Sequence, residues 1–197
     1  MSQFKKRQIM ICFVRSDSAV LQESWLNTAA TYFASNSNGS APYIHAELLF
    51  VPANNALQNQ SEIYGTACSI VYNGYVHLEK KRFSRKEWVF RSMECTEKQW
   101  KDMYSFCQNH KGDSFNHLGY YFYWTGILAP SPYSYTYLGM SPRWYCSEIV
   151  IAALKQGNLI TQDVSEGTHP NTLYNIIKEN TMADCGRNMT QVKLSFV

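Results

Sequence analysis

The segment Cys146–Gln156 (CSEIVIAALKQ) places the strongest constraint on how this chain can fold. Its central run from Ile149 to Leu154 is entirely apolar, and Gly157 follows at the position where helices commonly end. A helix with so broad an apolar surface is stable only when it is buried. We therefore expect Cys146–Gln156 to be a core helix that packs against a sheet.

Five segments have the composition that would supply this sheet. Each is a short run of β-branched, aromatic or alternating apolar residues that is bounded by turn-forming or charged residues. They are Gln8–Val14, Tyr43–Val51, Glu62–Val71, Tyr75–Glu79 and Glu87–Met93. The Asn73-Gly74 pair predicts a hairpin between the third and fourth segments, which favours antiparallel pairing.

Helical patterns account for much of the remaining chain. Thr96 and Gln99 carry the signature of a capping box, so a helix is expected from Thr96 to about Gly112. Further helices are predicted at Leu21–Phe33, Asn116–Thr125 and His169–Lys178, and loops at Ser35–Ser40 and Ala53–Ser61. There is no internal repeat and no low-complexity linker. Residues 1–197 are therefore predicted to form a single α+β domain with a central antiparallel sheet.

Charge and hydropathy exclude several classes of protein. The formal net charge is only +3 and no recognised motif accompanies it, so we expect no nucleic-acid partner. The basic cluster Lys80–Lys86 is typical of a solvated loop or an edge strand, although it also suits peripheral contact with a membrane. No apolar run reaches the ~18 residues of a membrane helix, and the N-terminus lacks a signal sequence. A cytoplasmic location is expected.

Six cysteines are spread along the chain, at positions 12, 68, 95, 107, 146 and 185. They form no CxxC pair, and no Cys or His pairs have the spacing of a zinc finger. A disulfide-rich scaffold is normally shorter and denser in cysteine. We therefore expect free thiols, no metal and no cofactor.

Cys146 has the setting of a nucleophile. It lies in the first turn of the predicted core helix, where unpaired N–H groups and the positive end of the helix dipole favour an anion. Such a setting favours the thiolate form of a cysteine and can also hold the oxyanion of an acyl-transfer reaction. A cysteine is also commonly buried as a small packing residue. A base near the thiol would decide between the two roles.

His45 is the expected base. Strand alternation separates one face formed by Ile44, Ala46, Leu48 and Phe50 from another formed by Tyr43, His45, Glu47 and Leu49. An imidazole on a rigid strand can accept the proton of a thiol that faces it. His77, in the fourth strand segment, is the second choice.

The order of these elements resembles that of the permuted NlpC-type papain-like superfamily, which includes lecithin:retinol acyltransferase-like proteins, bacterial amidases and poxvirus proteins. The matching segments are Tyr43–Leu48 (YIHAEL) and Trp144–Val150 (WYCSEIV), and the similarity in order extends over roughly residues 8–178. In ordinary papain-like enzymes the Cys helix comes first, whereas in the permuted branch it comes last. The resemblance implies that Cys146 attacks an amide or ester carbonyl while His45 takes its proton and later protonates the leaving group.

A third polar residue usually orients the histidine in such enzymes. Glu47 is our first choice, although strand neighbours two residues apart point in parallel directions, and Glu62 is the alternative. The resemblance implies a residue on the strand after the histidine, where Ser61, Tyr64 and Thr66 are further options. The sequence leaves this position open.

Cys95, which precedes the helix opening at Thr96, is the rival nucleophile. The remaining cysteines and histidines, and Glu148, have structural explanations. We expect Cys12, Cys68 and Cys107 to pack in the core, His110 and His117 to be exposed, His169 to start a helix, and Glu148 to point away from the thiol.

The sequence therefore predicts thiol-dependent hydrolysis of an amide, isopeptide or ester bond, or acyl transfer, on a peptide, protein or lipid acyl substrate. The tyrosine-rich segment Tyr120–Tyr145 is expected to line the substrate cleft. Two alternatives stay open. One is a papain-like protein that binds without turnover, and the other is a lipid or membrane-surface module that uses the aromatic segment and the basic cluster.

Overall fold

The computed structural model of the protein describes residues 6–15, 42–52, 61–125 and 131–178. The predicted helix Leu21–Phe33, the loop Ser35–Ser40, most of the loop Ala53–Ser61 and Cys185 lie outside these residues. The strands are β1 (Lys6–Arg15), β2 (Tyr43–Phe50), β3 (Glu62–Ser69), β4 (His77–Ser84) and β5 (Trp88–Thr96). The helices are α1 (Glu97–Asn109), α2 (His117–Thr125), α3 (Cys146–Gln156) and α4 (residues 170–178), with a 3₁₀ helix at Pro132–Leu138.

The described strands form one antiparallel sheet in the order β4-β3-β2-β1-β5. The predicted α+β class and antiparallel sheet are thereby confirmed. The interior strand β1, which lies between β2 and β5, is buried at every position from Ile9 to Val14. A strand that is covered on both faces needs an apolar side chain at each position, which explains the continuous apolar run in its sequence.

The sheet is strongly curled. Only residues 85–87 connect β4 to β5, although these two strands are the opposite edges of the sheet. In a flat sheet four strand spacings would separate them by roughly 19 Å, whereas the four Cα steps from Ser84 to Trp88 reach at most about 14 Å. The rings of Phe83 on β4 and Trp88 on β5 lie 4.9 Å apart. The edges of the sheet therefore approach each other at this end.

The curled sheet separates two layers of core side chains. The inner layer, on the side where Phe83 and Trp88 meet, consists of Met10, Cys12, Val14, Leu49, Val51, Ile63, Ala67, Phe83 and Trp88. The helix layer, on the other face, joins Ile9, Ile11 and Phe13 of β1 to α1 and α3. Every residue of α3 from Cys146 to Leu154 is buried. Burial of each large aliphatic side chain contributes roughly 1.5–3 kcal/mol, so α3 is firmly held on the sheet.

Local sequence signals predicted the starts of α1 and α3 correctly, although α1 ends at Asn109 and not at about Gly112. The Thr96 hydroxyl accepts a hydrogen bond from the Gln99 N–H at 3.2 Å, and the Gln99 side chain accepts one from the Thr96 N–H at 3.0 Å. This is the predicted capping box at the start of α1. The helix α3 begins at Cys146 and is followed by Gly157, as predicted.

The strand β4 differs from its prediction. It covers His77–Ser84 instead of Tyr75–Glu79, because its second half pairs with the first half of β3. The predicted turn is present, with Asn73 in the left-handed conformation at φ 60°. The whole connection nevertheless spans residues 70–76, which is longer than a two-residue hairpin. The basic cluster lies largely on this edge strand, which is one of the two placements predicted for it.

Candidate active site

A β-bulge precedes His45 on β2. His45 and Tyr43 pair with consecutive residues of β1, so Ile44 has no partner in that strand. An extra residue of this kind shifts the alternation of side chains by one position. The Tyr43 ring accordingly packs 5.6 Å from the ring of Phe13 in the helix layer. The prediction that Tyr43 shares a face with His45 and Glu47 is therefore wrong, because the bulge leaves no trace in the apolar pattern.

Cys146 is the first residue of α3 and only 8% of its surface is exposed. The first hydrogen bond of the helix joins the Ile149 N–H to the Tyr145 carbonyl. The N–H groups of Cys146, Ser147 and Glu148 precede this bond and point out of the end of the helix. The thiol thus lies at the end of the helix that favours negative charge.

His45 interacts with Cys146 and with Glu47. Its Nε2 atom lies 3.2 Å from Oε1 of Glu47. Burial alone would lower the pKa of His45, but hydrogen bonds to the Cys146 and Glu47 side chains, together with the negative charges of these groups, raise it to about 10. The imidazole is therefore protonated at neutral pH beside the thiol. The structure brings the predicted nucleophile and base together.

Glu47 is a buried carboxylate with two cationic neighbours. It is 2% exposed, and its Oε1 atom accepts a hydrogen bond from Nζ of Lys81 at 2.6 Å in addition to its contact with His45. Burial would raise the pKa of Glu47, but the contacts with His45 and Lys81 outweigh burial and lower it. The first choice for the orienting residue thus lies against the imidazole. The parallel direction of the two side chains does not prevent their contact.

Glu62, the alternative orienting residue, lies elsewhere. Its exposed side chain is 3.9 Å from Arg82, and its backbone pairs with Ser84 near the solvent-exposed start of β3. Ser61 and Tyr64 lie at the same exposed end, and Thr66 is partly buried and pairs with Phe50 and Lys80. None of these alternatives on β3 is therefore placed beside His45, because the antiparallel register directs the start of β3 away from it.

Sequence reasoning missed Ser69, at the other end of β3. Its hydroxyl lies 3.5 Å from Nε2 of His45, and the residue is fully buried. The β2–β3 register pairs Leu48 with Cys68, and its continuation places Ser69 beside Glu47. This register is set by how the strands align in space, so no local pattern indicates it.

Glu148 folds back over the end of α3. Its Oε2 atom accepts a hydrogen bond from the Tyr145 N–H at 2.8 Å, and the Asn116 amide donates to both carboxyl oxygens at 3.2 and 3.1 Å. Burial raises the pKa of Glu148 well above its usual value, more than the hydrogen bonds from Tyr145 and Asn116 lower it, and the nearby Cys146 raises it further. Burial thus disfavours ionisation of Glu148, which weakens its repulsion of a thiolate. The expectation that Glu148 points away is wrong, because the N–H groups of the helix end attract its side chain.

Aromatic side chains border the site on two sides. Tyr120 of α2 is partly buried, and its pKa is raised first by burial and then by the negative charge of the neighbouring Cys146. Its ring packs 5.7 Å from the ring of Tyr72. The Trp88 ring lies 6.1 Å from the ring of His45. Tyr120 of the predicted tyrosine-rich segment is therefore near the thiol, whereas residues 126–130 of that segment lie outside the described residues.

The surroundings of Cys95 disfavour a nucleophile. Its sulfur contacts the Arg7 carbonyl oxygen at 3.8 Å, and burial raises the pKa of its thiol to about 11. Cys12, Cys68 and Cys107 are buried in the core, which confirms their predicted packing role.

Two other histidines have partners other than the thiol. His77, the second-choice base, lies on the edge strand 3.5 Å from Glu79, and its Nδ1 atom is 3.3 Å from the Tyr75 carbonyl oxygen. His169 is buried, and its Nδ1 atom accepts a hydrogen bond from the Asn171 N–H at the start of α4. The predicted structural role of His169 at a helix start is confirmed.

His110 and His117 are partly buried, contrary to the expected exposure. Nδ1 of His110 lies 2.7 Å from Asp113, and its ring packs 5.0 Å from that of Trp144. The ring of His117 packs 5.5 Å from that of Tyr72. The turn lies against aromatic side chains that are distant in sequence, which the local polarity does not reveal.

No group of three or more His, Cys, Asp or Glu side chains in residues 6–15, 42–52, 61–125 and 131–178 is arranged to hold a metal ion. Within the same ranges, no helix has the length and apolar character to cross a membrane. Comparisons with protein families, curated proteins and solved structures found no match. Any functional conclusion therefore depends on the chemistry of the site itself.

Proposed function

We propose that this protein is a thiol-dependent acyl hydrolase or acyltransferase in which Cys146 is the nucleophile, His45 the acid–base and Glu47 the residue that orients His45. The observation that carries the proposal is the chain of contacts from Cys146 through His45 to the buried carboxylate of Glu47. A nucleophile, a base and a group that orients the base are what covalent acyl chemistry requires.

The reaction begins when the Cys146 thiolate attacks the carbonyl carbon of an amide, isopeptide or ester and forms a tetrahedral intermediate. The protonated imidazole of His45 gives its proton to the leaving nitrogen or oxygen as that bond breaks, which leaves a thioester on Cys146. Water, or the hydroxyl or amine of an acceptor, then attacks the thioester and passes its proton to His45 as the thiolate departs. Nδ1 is the assigned nitrogen for these transfers, since Nε2 faces Glu47.

The end of α3 supplies the oxyanion site in this mechanism. The N–H groups of Cys146 and Ser147 precede the first hydrogen bond of the helix, so they can donate to the oxygen of the tetrahedral intermediate. Glu148 opposes this charge less than an ordinary carboxylate would, because burial raises its pKa well above the usual value.

The proposal includes a permuted papain-like fold for the domain. Two features support it: the His strand β2 precedes the Cys helix α3 in the chain, and α3 packs against the antiparallel sheet. Tyr120 and Trp88 border the dyad with apolar ring faces, which suit a peptide or a lipid acyl chain as substrate.

Alkylation of Cys146 by iodoacetamide, followed by peptide mass spectrometry, tests the dyad without a known substrate. Because the proposed dyad makes the reactivity of Cys146 depend on His45, we expect Cys146 to react at about pH 6 at least about tenfold faster in the wild type than in His45→Ala. The Glu47→Gln variant is expected to fall between the two. His77→Ala is the matched control and leaves the rate unchanged. Equal rates in the wild type and in His45→Ala would contradict the proposal.

A second candidate function is binding to a lipid surface without turnover. It is favoured by the exposure of apolar residues on and after the 3₁₀ helix, where Tyr137 is 91% and Leu138 is 74% exposed. On this alternative, binding to anionic vesicles persists in Cys146→Ala and is lost in the double variant Tyr137→Ser, Leu138→Ser. Vesicle binding that is absent in the wild type would remove this candidate.

A further inference from the structure

The edge strand β4 directs one cationic side chain into the inner layer. Lys81 and Phe83 are two residues apart on the strand and so share a face, and Phe83 belongs to the inner layer. Nζ of Lys81 lies 4.9 Å from the centre of the Phe83 ring and 5.0 Å from that of Trp88. The neighbours Lys80 and Arg82 are exposed. Lys81 therefore departs from the solvated basic cluster, because strand alternation turns its side chain inward.

Lys81 and His45 share one oxygen of Glu47. The Oε1 atom lies 2.6 Å from Nζ of Lys81 and 3.2 Å from Nε2 of His45. The second oxygen, Oε2, is buried and has no hydrogen-bond partner among the described residues. Cys12 on β1 pairs with Glu47, and burial and the Glu47 charge raise the pKa of its thiol, so Cys12 stays neutral. The two cations are thus the groups that balance the carboxylate.

We propose that Lys81 is a positioning residue of this site, which holds the Glu47 carboxylate ionised and in place while His45 passes between its protonated and neutral forms. The inference rests on the proposed function, because it concerns the same base. Without Lys81, the Glu47 carboxylate would be a buried charge with no cation beside it whenever His45 is neutral, and such a charge is costly. The Lys81 ammonium supplies the compensating charge in that state.

The same ammonium also affects the basicity of His45. Its positive charge opposes a second positive charge on the imidazole, and it partly neutralises the carboxylate that His45 faces. Lys81 thus lowers the pKa of His45, which favours proton transfer from His45 to a leaving group. An inward-pointing charge on an edge strand also discourages pairing with other chains, but that role has no effect on how His45 titrates.

The test is the titration of His45 by NMR of ¹⁵N-histidine-labelled protein in a Cys146→Ala background. This background removes the Cys146 side chain, which otherwise raises the pKa of His45, so the titration reports Glu47 and Lys81. The His45 signals are assigned by their absence in His45→Gln. We expect Lys81→Met to raise the pKa of His45 by about 1 pH unit, and Lys81→Arg to return it to the parent value. Lys80→Met, which removes an exposed lysine next in sequence, leaves it unchanged.

A titration of His45 in Lys81→Met that equals that in Lys80→Met, or a lowered pKa, would overturn the inference. If circular dichroism shows that Lys81→Met does not fold, Lys81→Gln provides a second neutral variant. Alkylation of Cys146 separates this inference from the proposed function. His45-dependent alkylation without a titration shift refutes the role of Lys81 alone. A shift in the His45 pKa in Lys81→Met without His45-dependent alkylation refutes the enzymatic proposal. It supports the role of Lys81 in positioning Glu47.

Discussion

Asn116 joins three parts of the structure that surround Cys146. Its side chain is fully buried and donates to the Glu148 carboxyl group on α3. Its side-chain oxygen accepts hydrogen bonds from the Gly119 N–H at 2.9 Å, which caps α2, and from the Tyr135 hydroxyl at 2.8 Å on the 3₁₀ helix. We predict that Asn116→Ala strongly destabilises the protein.

The magnitude follows from the groups that the substitution leaves behind. The Glu148 carboxyl, the Gly119 N–H and the Tyr135 hydroxyl would each lose a buried partner, at a cost of about 1–3 kcal/mol apiece. The expected loss is therefore at least about 3 kcal/mol, a large fraction of the roughly 5–15 kcal/mol that stabilises a typical domain. Tyr135→Phe removes one hydroxyl together with its bond, so it should cost only about 1 kcal/mol.

Urea unfolding followed by circular dichroism measures this loss. The matched control is Asn171→Ala, since Asn171 is partly exposed and its side chain accepts one long hydrogen bond from the described residues, from the Tyr43 N–H at 3.4 Å. We expect this control to lose less than about 1 kcal/mol. If Asn116→Ala loses no more free energy of unfolding than Asn171→Ala, water or rearrangement satisfies the three groups and the reasoning is refuted.

Two further predictions concern the stability of the same region and its dependence on pH. Gly119→Ala, which would normally stabilise a helix, is expected to destabilise α2 by about 1–3 kcal/mol, because the new Cβ would lie 2.7 Å from Cγ of Asn116. Urea unfolding of Gly119→Ala that shows a gain in stability would contradict this contact. Burial lowers the pKa of His169 from 6.5 to about 4, so below pH 6.5 the unfolded chain binds a proton that the folded protein does not. Stability is then full above pH 6.5 and falls by about 3 kcal/mol as the pH drops to about 4, and His169→Gln should flatten this slope in unfolding experiments.

The chemistry that is proposed for the site depends on an unusual balance of buried charge. His45 and Lys81 both face Glu47 and lower its pKa, while burial raises the pKa of Glu148 well above its usual value. A buried carboxylate with two cations remains ionised, and a buried carboxyl group without one favours its neutral form. The pKa values of the two acids near Cys146 thus shift in opposite directions because of their neighbours, since both are buried.

Much of the local structure could be predicted from the sequence. The start of α3 at Cys146, the capping box of Thr96 and Gln99, and the helical start at His169 all depend on residues within one turn of each other. The apolar alternation of β2 predicted the strand and placed His45 on it. These signals were reliable because the interactions that produce them are short in sequence separation.

The surroundings of His45 were decided by the tertiary structure. The bulge at Ile44, the register that brings Ser69 to the imidazole, and the curl that lets Lys81 reach Glu47 all depend on how distant strands align. Strand residues that carry the same local pattern can pair in several registers, and only the packing of both faces selects one. The sequence by itself determined that a cysteine opens a buried helix and that a histidine lies on a strand. Tertiary packing determined that they meet, and that two cations flank one buried carboxylate beside them.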